Sequence, residues 1–256
     1  MKTKVFVVTH KGIPPLANEV YIPIQVGKGQ DIADAVIRDN SGDNITEKNS
    51  SFCELTASYW IHKNIKDAEY VGICHYRRYF NFFPSALNLK PSRQKKVTAD
   101  EFRQTKTFKA SAEKTDRKIA KIMQDYDCIM LRPYDVKEGL SAAYYNPEGH
   151  RRSDWEETIK IIKELYPDYQ QSIIDYLDNG NNFHMGNMMI TTKKIWDDYS
   201  KWLFSILFEL EKRIEIPTDP VQGRVFGYIS ERIISLYVYH NKLRIKNMGG
   251  YKISDI

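Results

Sequence analysis

One short stretch of this sequence constrains the fold more than any other. Residues 70–74 form an apolar run that suits a strand buried on both faces, as in a parallel sheet. Basic and aromatic side chains follow at once: His75, Tyr76, Arg77, Arg78 and Tyr79. In an open α/β sheet the loops after the strands form the ligand crevice, and arginines bind phosphate oxygens while rings stack. The stretch therefore predicts a binding site at the end of a central strand. Solvated arginines beside packed tyrosines are the plainer interpretation.

The size and cysteine content favour one cytoplasmic domain. We expect a single domain over residues 1–256, mainly helical over residues 151–256. Cys53, Cys74 and Cys128 lie far apart without C-x-x-C spacing, which argues against disulfides or a zinc site and favours a reducing cytosol. We find no signal-peptide pattern, and no apolar run reaches the ~18 residues of a membrane span.

The positive charge is concentrated in one segment. Residues 90–118 hold ten Lys or Arg against four acids, whereas the whole chain has a net charge of +5. Apolar periodicity is weak over residues 81–118, so we predict a basic surface excursion without regular structure. A flap that meets an anionic acceptor, or peripheral contact with the anionic inner membrane leaflet, is the alternative.

Two more strands are expected to end at the same edge of the sheet as residues 70–74. Residues 4–8 lead into Thr9, His10 and Lys11, and residues 21–26, which end in Val26, lead into Gly27. The glycines after the second strand fit neither G-x-G-x-x-G nor a P-loop. A dinucleotide-binding fold and a P-loop kinase are therefore not supported.

Helical patterns flank these strands. A capping-box spacing from Ser51 to Glu54 predicts a helix over residues 52–63. Apolar stripes predict helices over residues 194–214 and 224–240. Asn44 and Asn49 fall in a turn and at a helix start. Capping is the usual role of asparagine there, and facing the crevice is the alternative.

A polar turn containing Gly186 and Asn187 precedes another short strand. Glycine allows a ligand to approach the backbone closely, which makes the neighbouring His184 a candidate site residue, although a lone histidine is more often structural. Asp125 and Asp127 have the Asp-x-Asp spacing of a metal–nucleotide motif. They precede a strand instead of following one, so we predict that they lie on the opposite rim and bind no metal.

Five segments resemble a bacterial family found in capsular and exopolysaccharide biosynthesis clusters, of the domain of unknown function 4422 type. They are residues 44–49, 54–60, 71–79, 184–188 and 226–232, and the block at 71–79 is the most specific. Members are classed as glycosyltransferases by domain similarity, and some resemble galactofuranosyltransferases. The resemblance implies a GT-A-like (Rossmann-like) α/β fold, with helices on both faces of the sheet and a helical C-terminal part.

The resemblance also implies a hexosyltransferase that moves a sugar from a nucleotide-sugar donor, such as UDP-galactofuranose, to a glycan or lipid-linked acceptor. The residues expected at the donor are Thr9, His10, Lys11, Val26, Gly27, Asn44, Asn49, His75, Tyr76, Arg77, Arg78 and Tyr79. Those expected at the acceptor are His184, Met185, Gly186, Asn187 and Arg232.

The central strand is not followed by the metal-binding aspartates of typical GT-A enzymes. Arg77 and Arg78, with His75 as a further donor, could instead stabilise the negative charge that grows on the leaving diphosphate. We therefore expect no cofactor and no metal, with Mn²⁺ or Mg²⁺ as the alternative if the role of Asp125 and Asp127 is misread.

The catalytic base is expected to be Glu231, with His184 second. Glu231 interrupts an apolar helical pattern and is followed by Arg232. Two other functions stay open at this point: a single-stranded nucleic-acid-binding protein, and an inactive transferase-like partner in a polysaccharide assembly. The sequence does not specify the donor sugar, the acceptor, the stereochemistry or the oligomeric state.

Overall fold

The computed structural model describes residues 1–12, 14–32, 37–84, 93–145 and 150–256. The strands in chain order are β1 (Thr3–Thr9), β2 (Tyr21–Gln25), β3 (Ile37–Arg38), β4 (Tyr70–His75), β5 (Arg78–Phe80), β6 (Gln94–Val97), β7 (Cys128–Leu131), β8 (Tyr134–Asp135), β9 (Asn182–Phe183), β10 (Met189–Thr192), β11 (Ile245–Met248) and β12 (Gly250–Ile253).

The helices are α1 (Asn49–Phe52), α2 (Leu55–Asn64), α3 (Ala99–Arg103), α4 (Lys106–Lys109), α5 (Ala112–Ile122), α6 (Leu140–Tyr145), α7 (Arg152–Leu165), α8 (Gln170–Ser172), α9 (Lys193–Arg213) and α10 (Val225–His240). A π-helical turn, Ile173–Asp178, continues α8. Short 3-10 turns lie at Thr46–Lys48, Pro167–Tyr169 and Gln222–Arg224.

The main sheet has the strand order β11-β7-β10-β4-β1-β2-β3. All of these strands run parallel except β10, which is antiparallel to both β4 and β7. The carboxyl ends of the parallel strands therefore meet at one edge, where α/β proteins bind their ligands. From the end of β4 the chain turns back into β5, which pairs with β12, and β12 also pairs with β6.

Two hydrophobic clusters enclose the sheet, one on each face. Along β1, Phe6 and Val8 belong to one cluster, whereas Val5 and Val7 belong to the other. Helices α2, α7, α9 and α10 contribute to the first cluster, and α3 and α5 contribute to the second. This two-sided burial explains why the central strands are almost continuously apolar. No helix in the described ranges is long and apolar enough to cross a membrane.

The basic segment is folded, so the prediction of an irregular excursion is wrong for its described part. Residues 93–122 contain β6 and the helices α3, α4 and α5. Hydroxyl groups of Thr98, Thr105 and Ser111 accept hydrogen bonds from the first turns of these helices. These caps stabilise short helices whose apolar periodicity is weak. Residues 85–92, which include Lys90, lie outside the described residues.

The helix predicted over residues 52–63 is confirmed as α2, Leu55–Asn64, but it begins three residues later than predicted. Cys53 has a φ of 51° and separates α1 from α2. The Glu54 side chain makes no helix-capping hydrogen bond and is directed elsewhere. The predicted helices at 194–214 and 224–240 are confirmed as α9 and α10, each within one residue at either end.

Candidate active site

Three side chains meet at Gly186, in the turn between β9 and β10. His75, the last residue of β4, donates a hydrogen bond from Nε2 to the Gly186 carbonyl at 2.7 Å. The Gly186 amide donates to Oε1 of Glu231, on α10, at 2.9 Å. A Cβ atom placed on Gly186 would lie 3.7 Å from Nη1 of Arg78 and 3.8 Å from Nε2 of His75. The turn thus brings a carboxylate, an imidazole and a guanidinium together at the carboxyl edge of the sheet.

The backbone of this turn has an unusual conformation. Gly186 has a φ of 92° and Asn187 a φ of 51°. Glycine adopts such angles freely, and asparagine tolerates them better than most residues. The sequence Gly186-Asn187 therefore suits a turn that presents its backbone to the side chains of β4 and α10.

Asn187 ties the turn to a carboxylate that the sequence analysis missed as a site residue. Its side-chain amide donates to Oε1 of Glu54 at 2.7 Å and to the Gly227 carbonyl at 3.2 Å. The Asn187 Oδ1 atom is buried and has no hydrogen-bond partner in the described part of the chain. Glu54 reaches Asn187 because the backbone break at Cys53 redirects the chain between α1 and α2.

The electrostatics of the cluster favour proton transfer by Glu231. Burial raises the pKa of Glu231 to about 7, and the negative charge of Glu54 acts in the same direction. Arg232, Arg78 and the Gly186 amide oppose the rise. Burial also lowers the pKa of His75, so its neutral form is favoured. A carboxylate with a pKa near 7 can accept a proton efficiently at neutral pH.

Several cations surround the outer part of the crevice. Burial lowers the pKa of His10, and the charges of Lys11, Arg77 and Arg224 lower it further, which places these groups near one another. Arg224 was not singled out from the sequence. It donates to Sγ of Cys53 at 3.2 Å and lies 5.5 Å from the centre of the Tyr228 ring. These cations place positive charge at the outer part of the crevice, which suits a diphosphate.

The two adjacent arginines contact different parts of the protein. Arg78 faces Gly186, whereas Arg77 is exposed and lies 5.1 Å from the centre of the Tyr76 ring. Nη1 of Arg77 is 3.4 Å from the backbone carbonyl of Ile256. The two guanidinium groups therefore have different surroundings, and the expectation that both hold the diphosphate stays a prediction.

The tyrosines of the motif pack inside the protein. Tyr79 is 0% exposed and stacks on Phe102 with ring centres 4.8 Å apart, so its predicted contact with the donor is wrong. Tyr76 is also buried, and its ring meets that of His10 edge to face at 5.4 Å. Tyr76 therefore packs against His10 from the interior of the protein.

The residues after β1 and β2 shape the same edge of the sheet. Thr9 is buried, and its hydroxyl lies 3.1 Å from the carbonyl oxygens of Lys11 and Gly12. Val26 and Gly27 are buried beside β1. Thr9, Val26 and Gly27 are thus buried, whereas the side chains of His10 and Lys11 are exposed.

The two predicted asparagines make local contacts. Asn44 donates to the Gly42 carbonyl at 2.9 Å and closes its own turn. Asn49 donates to the Cys53 carbonyl at 2.8 Å. A Cβ atom on Gly27 would lie 2.5 Å from Oδ1 of Asn49, so Asn49 packs directly against that glycine.

His184 lies away from solvent, which argues against its predicted catalytic role. It is 4% exposed, and its ring nitrogens contact the Ser235 hydroxyl at 3.1 Å and Oδ1 of Asn247 at 3.2 Å. Burial lowers its pKa. Since both nitrogens are engaged, neither is placed to take a proton from an acceptor. The neighbouring Met185 is partly buried against the core.

Arg232 is likewise internal, so its predicted contact with the acceptor is wrong. It is 7% exposed and lies between the rings of Tyr144 and Phe183, at 5.0 and 4.8 Å from their centres. It donates to the Tyr228 carbonyl at 2.9 Å. Arg232 therefore stabilises α10 beneath Glu231.

Asp125 and Asp127 precede β7 at the edge opposite His75, as the sequence predicted. The Asp127 carboxylate accepts two hydrogen bonds of 3.0 Å from the Arg244 guanidinium. Asp127 thus joins the start of β7 to the segment before β11. Within the described ranges there is no group of three or more His, Cys, Asp or Glu side chains placed to hold a metal ion.

Comparison with known proteins identifies the family. Residues 4–242 match a family described as a domain of unknown function, DUF4422. The chain belongs to this family. The match includes every member of the Gly186 cluster, from Glu54 to Glu231. No curated protein matches the sequence.

A solved structure extends the comparison to a named protein. The chain is similar to the apo structure of WbbM, described as a bifunctional glycosyltransferase, with a TM-score of 0.88 and 29% sequence identity. The similarity covers 100% of this chain and 46% of the WbbM chain, so this chain spans about half the length of that protein. The predicted GT-A-like α/β fold, with a mostly parallel sheet between helices, is confirmed.

Proposed function

We propose that this protein is a glycosyltransferase that moves a sugar from a nucleotide-sugar donor to a hydroxyl group of a glycan or lipid-linked glycan. The main support is the convergence of Glu231 and Arg78 on the backbone of Gly186. One side chain can take a proton and the other can stabilise an anion, and both lie at the ligand-binding edge of the sheet. The similarity to WbbM points to the same reaction class.

Glu231 is proposed as the general base. As the new glycosidic bond forms, the acceptor oxygen attacks the anomeric carbon and its proton passes to the Glu231 carboxylate. A pKa of about 7 leaves a large fraction of Glu231 ionised at neutral pH and keeps that carboxylate basic. The Gly186 amide donates to Oε1, and Oε2, which lies 3.8 Å from Nη1 of Arg232, is proposed to accept the proton.

Arg78 is proposed to stabilise the leaving nucleoside diphosphate. When the bond between the sugar and the diphosphate breaks, the electron pair remains on the diphosphate, whose negative charge increases. A guanidinium group in a partly enclosed crevice can stabilise that charge without a metal. Arg224 and Lys11 line the same region and add positive charge.

For the donor we propose a UDP-sugar, with UDP-galactofuranose as one candidate, used in capsule, exopolysaccharide or O-antigen synthesis. The rival function, binding of single-stranded nucleic acid, requires rings on which bases can stack. Tyr76 and Tyr79, the two tyrosines of the motif, are both buried. The burial of these rings favours the transferase.

The test combines donor binding with turnover. Thermal shift with a panel of UDP-sugars should show stabilisation of the wild-type protein, and Arg78→Ala should abolish that stabilisation. Glu231→Gln should keep donor binding and lower turnover by about 10²–10⁴-fold, the range for a lost general base. Arg117→Ala and Glu113→Gln, at exposed positions on α5, are the matched controls. Unchanged donor binding in Arg78→Ala, or wild-type turnover in Glu231→Gln, would contradict the proposal.

A further inference from the structure

A cavity of about 910 Å³ lies apart from the Gly186 cluster. It is formed by the residues after β5, by β6, by helices α3 to α5 and by the β11–β12 segment. The described residues that line it do not include His75, Arg78, Gly186, Glu54 or Glu231. The cavity is therefore a second candidate site, and the basic segment forms part of its wall.

The cavity is lined by more cationic than anionic side chains. Five lysines line it: Lys95, Lys106, Lys118, Lys121 and Lys246. In the described part of the chain none of the five forms an ion pair, whereas Lys4 and Lys48 pair with Asp67 and Glu211. Two acids, Glu101 and Asp125, also line the cavity, so the five lysines outnumber them, and the Glu101 carboxylate is engaged in the capping box of α3. Unpaired lysines around one cavity favour a ligand with several negative charges.

The walls of the same cavity are aromatic and apolar. Phe83, Tyr126 and Tyr251 line it together with Ile122 and Met248. The Lys246 ammonium lies 5.0 Å from the centre of the Tyr126 ring, so cationic and apolar surfaces are directly adjacent. Such a lining suits an amphiphile, with its anionic group on the lysines and its hydrocarbon on the rings.

We propose that this cavity binds a lipid phosphate or lipid diphosphate, the anionic end of an amphiphilic acceptor. Lysines are flexible point charges, and they can follow a mobile diphosphate without the fixed geometry of an arginine fork. The Phe83 ring is only half-buried, which leaves surface for the first carbons of the chain. That this ligand acts as an acceptor rests on the proposed function, whereas the binding of a lipid phosphate does not.

The test uses the full chain and farnesyl diphosphate as a water-soluble probe, measured by calorimetry. We expect saturable binding, with farnesol and inorganic pyrophosphate each bound at least about tenfold more weakly. Lys118→Ala with Lys121→Ala should weaken farnesyl diphosphate binding about tenfold or more. The matched control is Lys163→Ala with Lys201→Ala, two exposed lysines on α7 and α9. All four positions are helical, so alanine preserves the local structure.

A second variant tests the contact with the hydrocarbon part of the ligand separately from the contact with its diphosphate. Phe83→Ala should weaken farnesyl diphosphate binding and leave pyrophosphate binding unchanged. Equal weakening by the cavity and control double variants would overturn the proposal, and so would pyrophosphate binding as tightly as farnesyl diphosphate.

Further measurements distinguish a lipid phosphate from other ligands. Sedimentation with phosphatidylglycerol vesicles, without binding of soluble farnesyl diphosphate, would overturn the proposal in favour of a membrane surface. Displacement of farnesyl diphosphate by UDP would overturn it in favour of a nucleotide site. Arg78→Ala should leave farnesyl diphosphate binding unchanged, so a failure of the transferase proposal would be recognised separately.

Discussion

The side-chain amide of Asn187 donates a hydrogen bond of 2.7 Å to Glu54, which lies 133 positions earlier in the chain. The preceding residue, Gly186, donates its amide to Glu231. Glu231 on α10 and Glu54 between α1 and α2 thus each accept a hydrogen bond from this one short turn. Since the turn also contacts His75, its position depends on three distant parts of the sequence.

The two arginines of the motif should have different importance. Arg78→Ala removes the guanidinium nearest Gly186, so we expect turnover to fall about a hundredfold, as when one charge-stabilising group is lost. Arg77→Ala should have a smaller effect, because Arg77 lies over Tyr76 at the exposed side. Steady-state kinetics on both variants checks this order. A larger loss in Arg77→Ala would show that the ligand recruits Arg77 instead.

The raised pKa of Glu231 should make the protein less stable as the pH rises. Its carboxyl has a pKa of about 7 in the folded protein against an ordinary value of 4.5, so the folded state holds the proton more tightly. The corresponding stability is present below pH 4.5 and is lost as the pH rises through 7. A rise of this size corresponds to at most about 3 kcal/mol.

Glu231→Gln should therefore stabilise the protein at pH 8 and have little effect at pH 4.5. Glutamine keeps an oxygen for the Gly186 amide and carries no charge. Urea unfolding of wild type, Glu231→Gln and Glu113→Gln at the two pH values provides the measurement. An effect of Glu231→Gln that is the same at both values would contradict a buried, proton-linked carboxyl.

Glu54 should tune the base without acting as one. Its negative charge helps to raise the pKa of Glu231, so Glu54→Gln should lower that pKa while keeping an oxygen for Asn187. Because the base works in its ionised form, the acid limb of the kcat/KM profile should move to lower pH. An acid limb at the same pH, or at higher pH, would show that Glu54 does not act on Glu231.

Removal of divalent metals should leave turnover nearly unchanged. The guanidinium of Arg78 is proposed to supply the charge that stabilises the diphosphate, so EDTA should not affect donor binding. Turnover with EDTA, and again after adding Mn²⁺ or Mg²⁺, is the measurement. Complete loss with EDTA and recovery with either ion would show that a carboxylate such as Glu54 holds a metal during the reaction.

Much of the fold could be predicted because burial leaves a direct pattern in the sequence. Strands β1, β4 and β7 are continuous apolar runs, and α9 and α10 carry apolar stripes. The basic segment was harder, since its short helices depend on caps more than on periodicity. Its Thr98 and Glu101 do carry a capping-box pattern that could have revealed α3.

The candidate site was predicted only in part. Glu231 could be chosen because a carboxylate stands out in an apolar helix. Glu54 was taken for a capping residue, since its spacing from Ser51 fits that pattern and the backbone break at Cys53 depends on tertiary contacts. The residue types of His184 and Arg232 alone do not show whether these side chains face a ligand or the core. Their partners on α10, β9 and β11 decide between the two, and these partners lie far away in the sequence.

The pairing of β5 decides whether Arg78 or Tyr79 faces the crevice. Arg78 lies opposite His75 on β4 and opposite Lys252 on β12, while Tyr79 lies opposite Tyr251. Alternate residues of a strand point to opposite faces, so a slip of one position would exchange their environments. A tyrosine would then face Gly186, and a guanidinium would enter an aromatic core. The strand register of this hairpin is thus itself a determinant of the site, and one inserted residue in its turn would disrupt the charge and the packing together.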